Sequence, residues 1–167
     1  GTLVTLMAVG GGLLLWQLPQ LRQENLVEVR REAGQLAEHM ELLLGGRQLQ
    51  LELAGAVLAQ PSRNSSTDML DTLTGEGGSF EAIYLADSNG IVQAVSLRSK
   101  AQARRDELLG SDLSANRMYQ LGLQRNGAVW SNKFLSALSG DVTVGIAIPM
   151  SGRMLIGELP LDELLRT

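Results

Sequence analysis

Along the 167 residues the period of the apolar positions changes twice. From Gly1 to Leu21 no residue is charged, and Leu3, Val4, Leu6, Met7, Leu13, Leu14, Leu15, Trp16 and Leu18 keep the run largely apolar. A helix rises about 1.5 Å per residue, so about 20 such residues cross a hydrocarbon core of ~30 Å, and residues 1–20 are read as a transmembrane helix. Trp16 suits the interfacial aromatic belt, and charges begin at once with Arg22 and Glu24. Gly10-Gly11-Gly12 would weaken a helix in water but is tolerated in lipid. A signal peptide would carry a basic stretch before the apolar run and a small-residue cleavage site after it; neither is present. The chain lacks an initiator Met, and the expectation is a piece of a longer protein that begins at its anchor.

Residues 21–60 are read as a long juxtamembrane helix. Leu26, Val29, Ala33, Leu36, Met40 and Leu43 recur at spacings of three and four with Glu and Arg between them, a seam of a little over two heptads. Gly45-Gly46 is expected to interrupt it, after which Leu49, Leu53 and Ala56 resume on a shifted face. Two readings stay open: an amphipathic helix lying on its own domain, or the contact of a parallel homodimer. Pro61 is expected to end the helix. Residues 61–79, rich in Ser, Thr, Gly and Asn, read as loop with one short helical turn around Asp68 to Leu73.

From Phe80 the period falls to two. Glu81–Asp87 and Ile91–Leu97 read as strands joined through Asn89-Gly90, a strong hairpin signal. A basic loop with Arg98, Lys100, Arg104 and Arg105 follows, and then a helix over Ser111–Arg125, capped by Asp112 or Ser114 and stopped by Asn126-Gly127. Ala128–Leu135, Val142–Met150 and Arg153–Leu161 complete the strands. In the fourth, Val142, Val144, Ile146 and Ile148 form an aliphatic face fit for a core. Thr143, Gly145 and Ala147 form a small face that a helix or a ligand can approach. The class is α+β: a transmembrane helix and a long amphipathic helix, then a five-stranded antiparallel sheet with a flanking helix.

Composition narrows the chemistry. A net charge of −4 and six aromatic residues argue against nucleic-acid binding, which needs a basic face or a stacking platform. Zero cysteines exclude thiol catalysis, disulfides and Cys-based zinc sites, and a single histidine, His39, leaves no Ser-His-Asp triad or histidine metal cluster. No metal site, catalytic residue or cofactor is therefore expected. Asp87-Ser88-Asn89-Gly90 is no calcium loop, since its glycine comes too early and position twelve is Arg98. Gly75-Glu76-Gly77-Gly78 lacks the Lys-Ser/Thr pair of a phosphate loop.

Phe80-Glu81-Ala82-Ile83-Tyr84-Leu85-Ala86-Asp87-Ser88-Asn89-Gly90 resembles the opening hairpin of Cache domains, the PAS-like extracytoplasmic sensors of bacterial signalling proteins. Asp112-Leu113-Ser114, Val129-Trp130-Ser131, Phe134-Leu135-Ser136, Thr143 to Pro149 and Gly157-Glu158-Leu159 follow in that family's order. The resemblance implies a PAS-like sensor module over 80–167, on the periplasmic side of the inner membrane from about residue 22 onward. It also implies an output domain beyond Thr167: a histidine kinase, a cyclic-di-GMP enzyme or a chemoreceptor. The segment itself is expected to be non-catalytic and to bind a small molecule. The rivals are a pilin-like subunit, which shares the layout but would carry Glu where Thr5 stands, and a ligand-free dimerisation or partner-docking module.

By the same resemblance, Asn116, Arg117, Tyr119, Trp130 and Ser131 lie where similar domains contact ligands, and Thr143 offers a hydroxyl from the sheet. In the family's amino-acid-binding branch an Arg holds the ligand carboxylate and an Asp its ammonium. Here the first position is Asn116, with Arg117 beside it as a substitute, and the second is Ser136. A zwitterion needs both charges answered in a dry pocket, so ordinary amino acids are expected to be disfavoured as ligands.

Overall fold

The computed structural model describes residues 2–59 and 66–164, with residues 2–29 and Ser66 as backbone alone. The chain divides into two compact units, residues 1–42 and 43–167. The first is the amino-terminal part of helix α1, which runs from Thr2 to Leu58. The side chains of the expected anchor, residues 1–20, lie outside the described set, as does Pro61. Among the described residues no helix is long and apolar enough to cross a membrane. Gly45-Gly46 does not break the helix, because the i to i−4 ladder does not depend on a side chain. Beyond it Leu49, Leu53 and Ala56, expected to resume the apolar face, are exposed, and Leu51, Ala54 and Leu58 are buried instead. Leu36, in the heptad seam, is 55% exposed.

In the second unit the expected loop holds a helix longer than one turn, α2 (Ser66–Thr74), which packs on the sheet edge. The Ser96 hydroxyl donates to the Asp71 carboxylate and shares a 2.6 Å hydrogen bond with the Thr74 hydroxyl, so buried polar groups fix α2 on the sheet. Strands β1 (Ala82–Asp87) and β2 (Val92–Leu97) form the expected hairpin. Gly90 takes φ +87°, and the Asp87 carboxylate accepts from Asn89 N and Ile91 N at 2.9 Å, so this Asp holds a turn. The basic loop winds into a 3-10 turn over Ser99–Arg104 and a short helix α3 (Arg105–Leu108).

The expected helix over Ser111–Arg125 is shorter. Helix α4 spans Arg117–Gln124 and its cap is Asn116, whose Oδ1 accepts from Met118 N at 2.8 Å. Asp112 instead turns the chain before it by accepting from Ser114 N at 2.7 Å, and bridges to Ile91. The expected third strand is also split, into β3 (Val129–Trp130) and β4 (Phe134–Leu135). Both pair with β5 (Val142–Met150), which pairs with β6 (Arg153–Pro160). A four-residue helix α5 (Leu161–Leu164) ends the described chain. The sheet thus has six antiparallel strands, not five, in the order β2-β1-β6-β5-β3 with β4 also on β5.

Register assigns the two faces, because paired residues share a side. Ile83, Gly157 and Ile146 stand in one row, and a Cβ at Gly157 would lie 2.7 Å from Phe80 and 3.0 Å from Leu51 of α1. This is the side that α1 covers. The other side carries Ala82, Tyr84, Ala86, Ala147, Met154 and Ile156, packed with Met118 and Tyr119 of α4. On it the small face of β5 admits the helix: the Gly145 Cα faces Met118 so closely that an added Cβ would lie 3.2 Å from the Met118 side chain.

Candidate functional site

The break between β3 and β4 is a bulge. Trp130 pairs with Ile146 and Phe134 with Thr143, so four steps on one strand oppose three on the other. Ser131 sustains the ladder there: its N–H donates to Gly145 O at 2.8 Å, and its hydroxyl accepts from Gly145 N at 2.8 Å. The extra residue bends the strand, and bulges commonly turn side chains toward a site. Ser131, Asn132, Lys133 and Phe134 of this segment form one wall of a cavity of about 320 Å³.

Asn116, Arg117 and Met118 at the start of α4 form the opposite wall. Leu108 and Leu113 close it from the segment before α4, and Tyr84, Ile156 and Glu158 form the floor on β1 and β6. One anionic group and two cationic ones, Glu158 against Arg117 and Lys133, thus line one partly apolar chamber. Such a lining suits a small ligand carrying both signs of charge.

Glu158 is the electrostatic centre. Burial, and next the neighbouring Glu81 carboxylate, push it up to about 7, while a hydrogen bond from Ser136 works in the opposite direction. Tyr84 is pushed far above the usual phenol range, first by burial and then by Glu158 and Glu81, so it remains a neutral phenol. Among the described residues no group of three or more carboxylates or imidazoles is placed to hold a metal ion.

Of the six residues singled out in the sequence, Asn116, Arg117 and Ser131 come together at this cavity. The other three lie outside its lining. Tyr119 is buried in the apolar cluster and its hydroxyl donates to Asp87 O at 3.0 Å. Trp130 donates its indole N–H to Gln48 of α1 at 3.1 Å, and Thr143 is buried with its hydroxyl on Asp141 O at 3.2 Å. Sequence reasoning missed Tyr84, Glu158 and Lys133. A signal for Glu158 existed: it is the one carboxylate within the otherwise apolar stretch Met154–Pro160.

No protein-family model matches the chain, and no curated protein matches it. Solved structures do. The sensory domain of a Campylobacter jejuni chemoreceptor with isoleucine bound is 16% identical, with a TM-score of 0.61 over 77% of this chain and 56% of that one. The ligand-binding domain of a Pseudomonas fluorescens chemoreceptor in complex with L-alanine is 21% identical, with a TM-score of 0.58 over 78% of this chain and 57% of that one. A Bacillus subtilis protein with an EAL domain, in complex with cyclic di-GMP and calcium, is 18% identical, with a TM-score of 0.54 over 74% of this chain and 33% of that one. The chain therefore spans between a third and about three-fifths of the length of these structures.

The expectation that ordinary amino acids are disfavoured is corrected by these comparisons, since structures of this fold are solved with isoleucine and alanine bound. The sequence argument weighed an acid at the Ser136 position alone. In the structure Glu158 supplies a carboxylate to the cavity lining from β6. The fold is that of Cache-like chemoreceptor sensory domains.

Proposed function

We propose that the chain is the sensing region of a bacterial signalling protein. It takes a small zwitterionic molecule, an α-amino acid or a close analogue, into the cavity between α4 and the sheet. The observation that carries this reading is the meeting of Glu158 with Arg117 and Lys133 in one chamber of about 320 Å³. Arg117 and Lys133 would hold the ligand carboxylate, Asn116 and Ser131 would add neutral hydrogen bonds, and Glu158 would hold the ammonium. Likeness in fold to sensory domains solved with isoleucine and alanine supports the same ligand class.

The wider reading follows from the sequence. Residues 1–20 anchor the chain in the inner membrane, residues from about 22 onward lie in the periplasm, and the exposed seam around Leu36 pairs two copies. A cytoplasmic output domain reads the difference between ligand-free and ligand-bound states; this segment performs no catalysis. A ligand shifts such an equilibrium only by its differential affinity for the two states.

A thermal-shift panel of the twenty amino acids, matched simple amines and matched simple carboxylates tests the site. A zwitterion at 100 times its Kd should add about 2.7 kcal/mol, a rise of several degrees. Its single-charge analogues should add far less. The shift should fall sharply in Arg117→Ala and in Glu158→Gln. A panel with no zwitterion-specific shift, or a shift indifferent to both substitutions, would overturn the reading.

A further inference from the structure

Glu81 precedes β1 at the end of the sheet from which α5 leaves. It is 4% exposed, and its Oε2 is buried with no hydrogen-bond partner. A buried carboxylate oxygen with no donor is costly. The adjoining cation does not answer it. Arg98 donates its backbone N–H to Glu81 O at 2.8 Å, but spends its guanidinium on the Glu163 carboxylate and on Gly78 O at 2.9 Å.

Glu81 lines a second cavity of about 460 Å³, separate from the one under α4. Asp141, Ser139 and Asp162 also border it, and the one further cation on its border, Lys100, is exposed. The lining is therefore acidic in balance and includes Glu81, whose Oε2 lacks a donor. It is too wide for a bare metal ion, and among the described residues no set of carboxylates converges as metal ligands would.

We propose that this cavity is a binding site for a small organic cation, an alkylammonium or guanidinium group, whose N–H donors satisfy the Glu81 carboxylate. Asp141 and the Ser139 hydroxyl on the border would receive the remaining donors. The site also communicates with the first cavity, because the Glu81 carboxylate, after burial, helps to push Glu158 upward. A cation on Glu81 weakens that repulsion and leaves Glu158 more readily ionised, so each cavity favours a cationic group in the other. By linkage the effect is reciprocal.

Calorimetric titration of the full 167-residue chain, in a non-ionic detergent, with ethylammonium and guanidinium chlorides tests the site. Tetramethylammonium at matched ionic strength is the control that has charge and no N–H. Saturable binding of the first two, absent for the control, is expected. It should weaken at least tenfold in Glu81→Gln and measurably in Asp141→Asn, and survive in Glu158→Gln. Equal heats for all three salts would overturn the proposal. So would loss of binding in Glu158→Gln with retention in Glu81→Gln. Binding seen only in Lys100→Met would show that the chain's own ammonium fills the place, and would overturn it as well.

Discussion

At the scale of single residues, Glu158 ties stability to pH and, on the proposed reading, to ligand affinity. Its ordinary value of 4.5 rises to about 7 because folding removes the carboxylate from water and sets Glu81 beside it. The folded state therefore binds the proton more tightly than the unfolded state does. Stability from this group is fully present below about 4.5 and is lost as pH rises through about 7. Urea unfolding followed from pH 4.5 to pH 8 should show a loss on the order of 3 kcal/mol from this one group, most of it before pH 7. Glu158→Gln should remove that component and flatten the profile; an unchanged slope would show that the carboxylate ionises as freely folded as unfolded. The ligand gives the opposite sign. An ammonium needs the ionised carboxylate, so affinity for a zwitterion should rise from pH 5.5 to pH 8, with a proton released on binding at pH 6–7. That release is measured as the dependence of calorimetric heat on the ionisation enthalpy of the buffer. No proton release would separate Glu158 from the ammonium.

At the scale of elements, the bulge in the third strand and the crossing of α1 over β6 place the site. The crossing depends on the missing side chain at Gly157, where a Cβ would lie 2.7 Å from the Phe80 ring and 3.0 Å from Leu51. Gly157→Val should cost about 1–3 kcal/mol in urea unfolding, since overpacking there forces Phe80 or α1 away. A cost below about 0.5 kcal/mol would mean that the helix yields without penalty. The hairpin around Asn89-Gly90, the two faces of β5 and the period change at Phe80 were legible in the sequence, because each rests on local turn chemistry or strict alternation. The split of Ala128–Leu135 was not, because apolar residues continue on either side of Ser131-Asn132-Lys133 and only pairing with Gly145 reveals the extra residue. The cap of α4 was misplaced for a related reason. Asp112, Ser114 and Asn116 are all good caps, and the choice among them was made by the Ile91 to Asp112 bridge, a contact between distant residues. Of the residues lining the cavity, Asn116, Arg117 and Ser131 were named from the sequence. Glu158 and Tyr84 join it only through the register of β1 on β6, which pairs Tyr84 with Ile156 and Ala82 with Glu158.

At the scale of the whole molecule, one sheet separates a side covered by helices from the side that carries the cavity. α1 and α2 cover the first with Leu51, Ala54, Leu58 and Leu70, all at most 6% exposed. The second is only partly filled by α4, and the unfilled part is the cavity that Glu158, Arg117 and Lys133 line. On the proposed reading, a ligand arriving over β6 would touch the strand that continues directly into α5, where the described chain ends. Arg98 links this exit to the rest of the domain, since it holds Glu163 of α5 and Gly78 O together. The central claim is that small zwitterions occupy the chamber under α4. Titration of the 15N-labelled chain with L-isoleucine and L-alanine, followed through backbone amide resonances, tests it most directly. The account predicts saturable shifts at Asn116–Met118, Ser131–Lys133 and Glu158, with the resonances of α2 unmoved. No saturable shift with either amino acid, or shifts confined to residues outside that chamber, would contradict it.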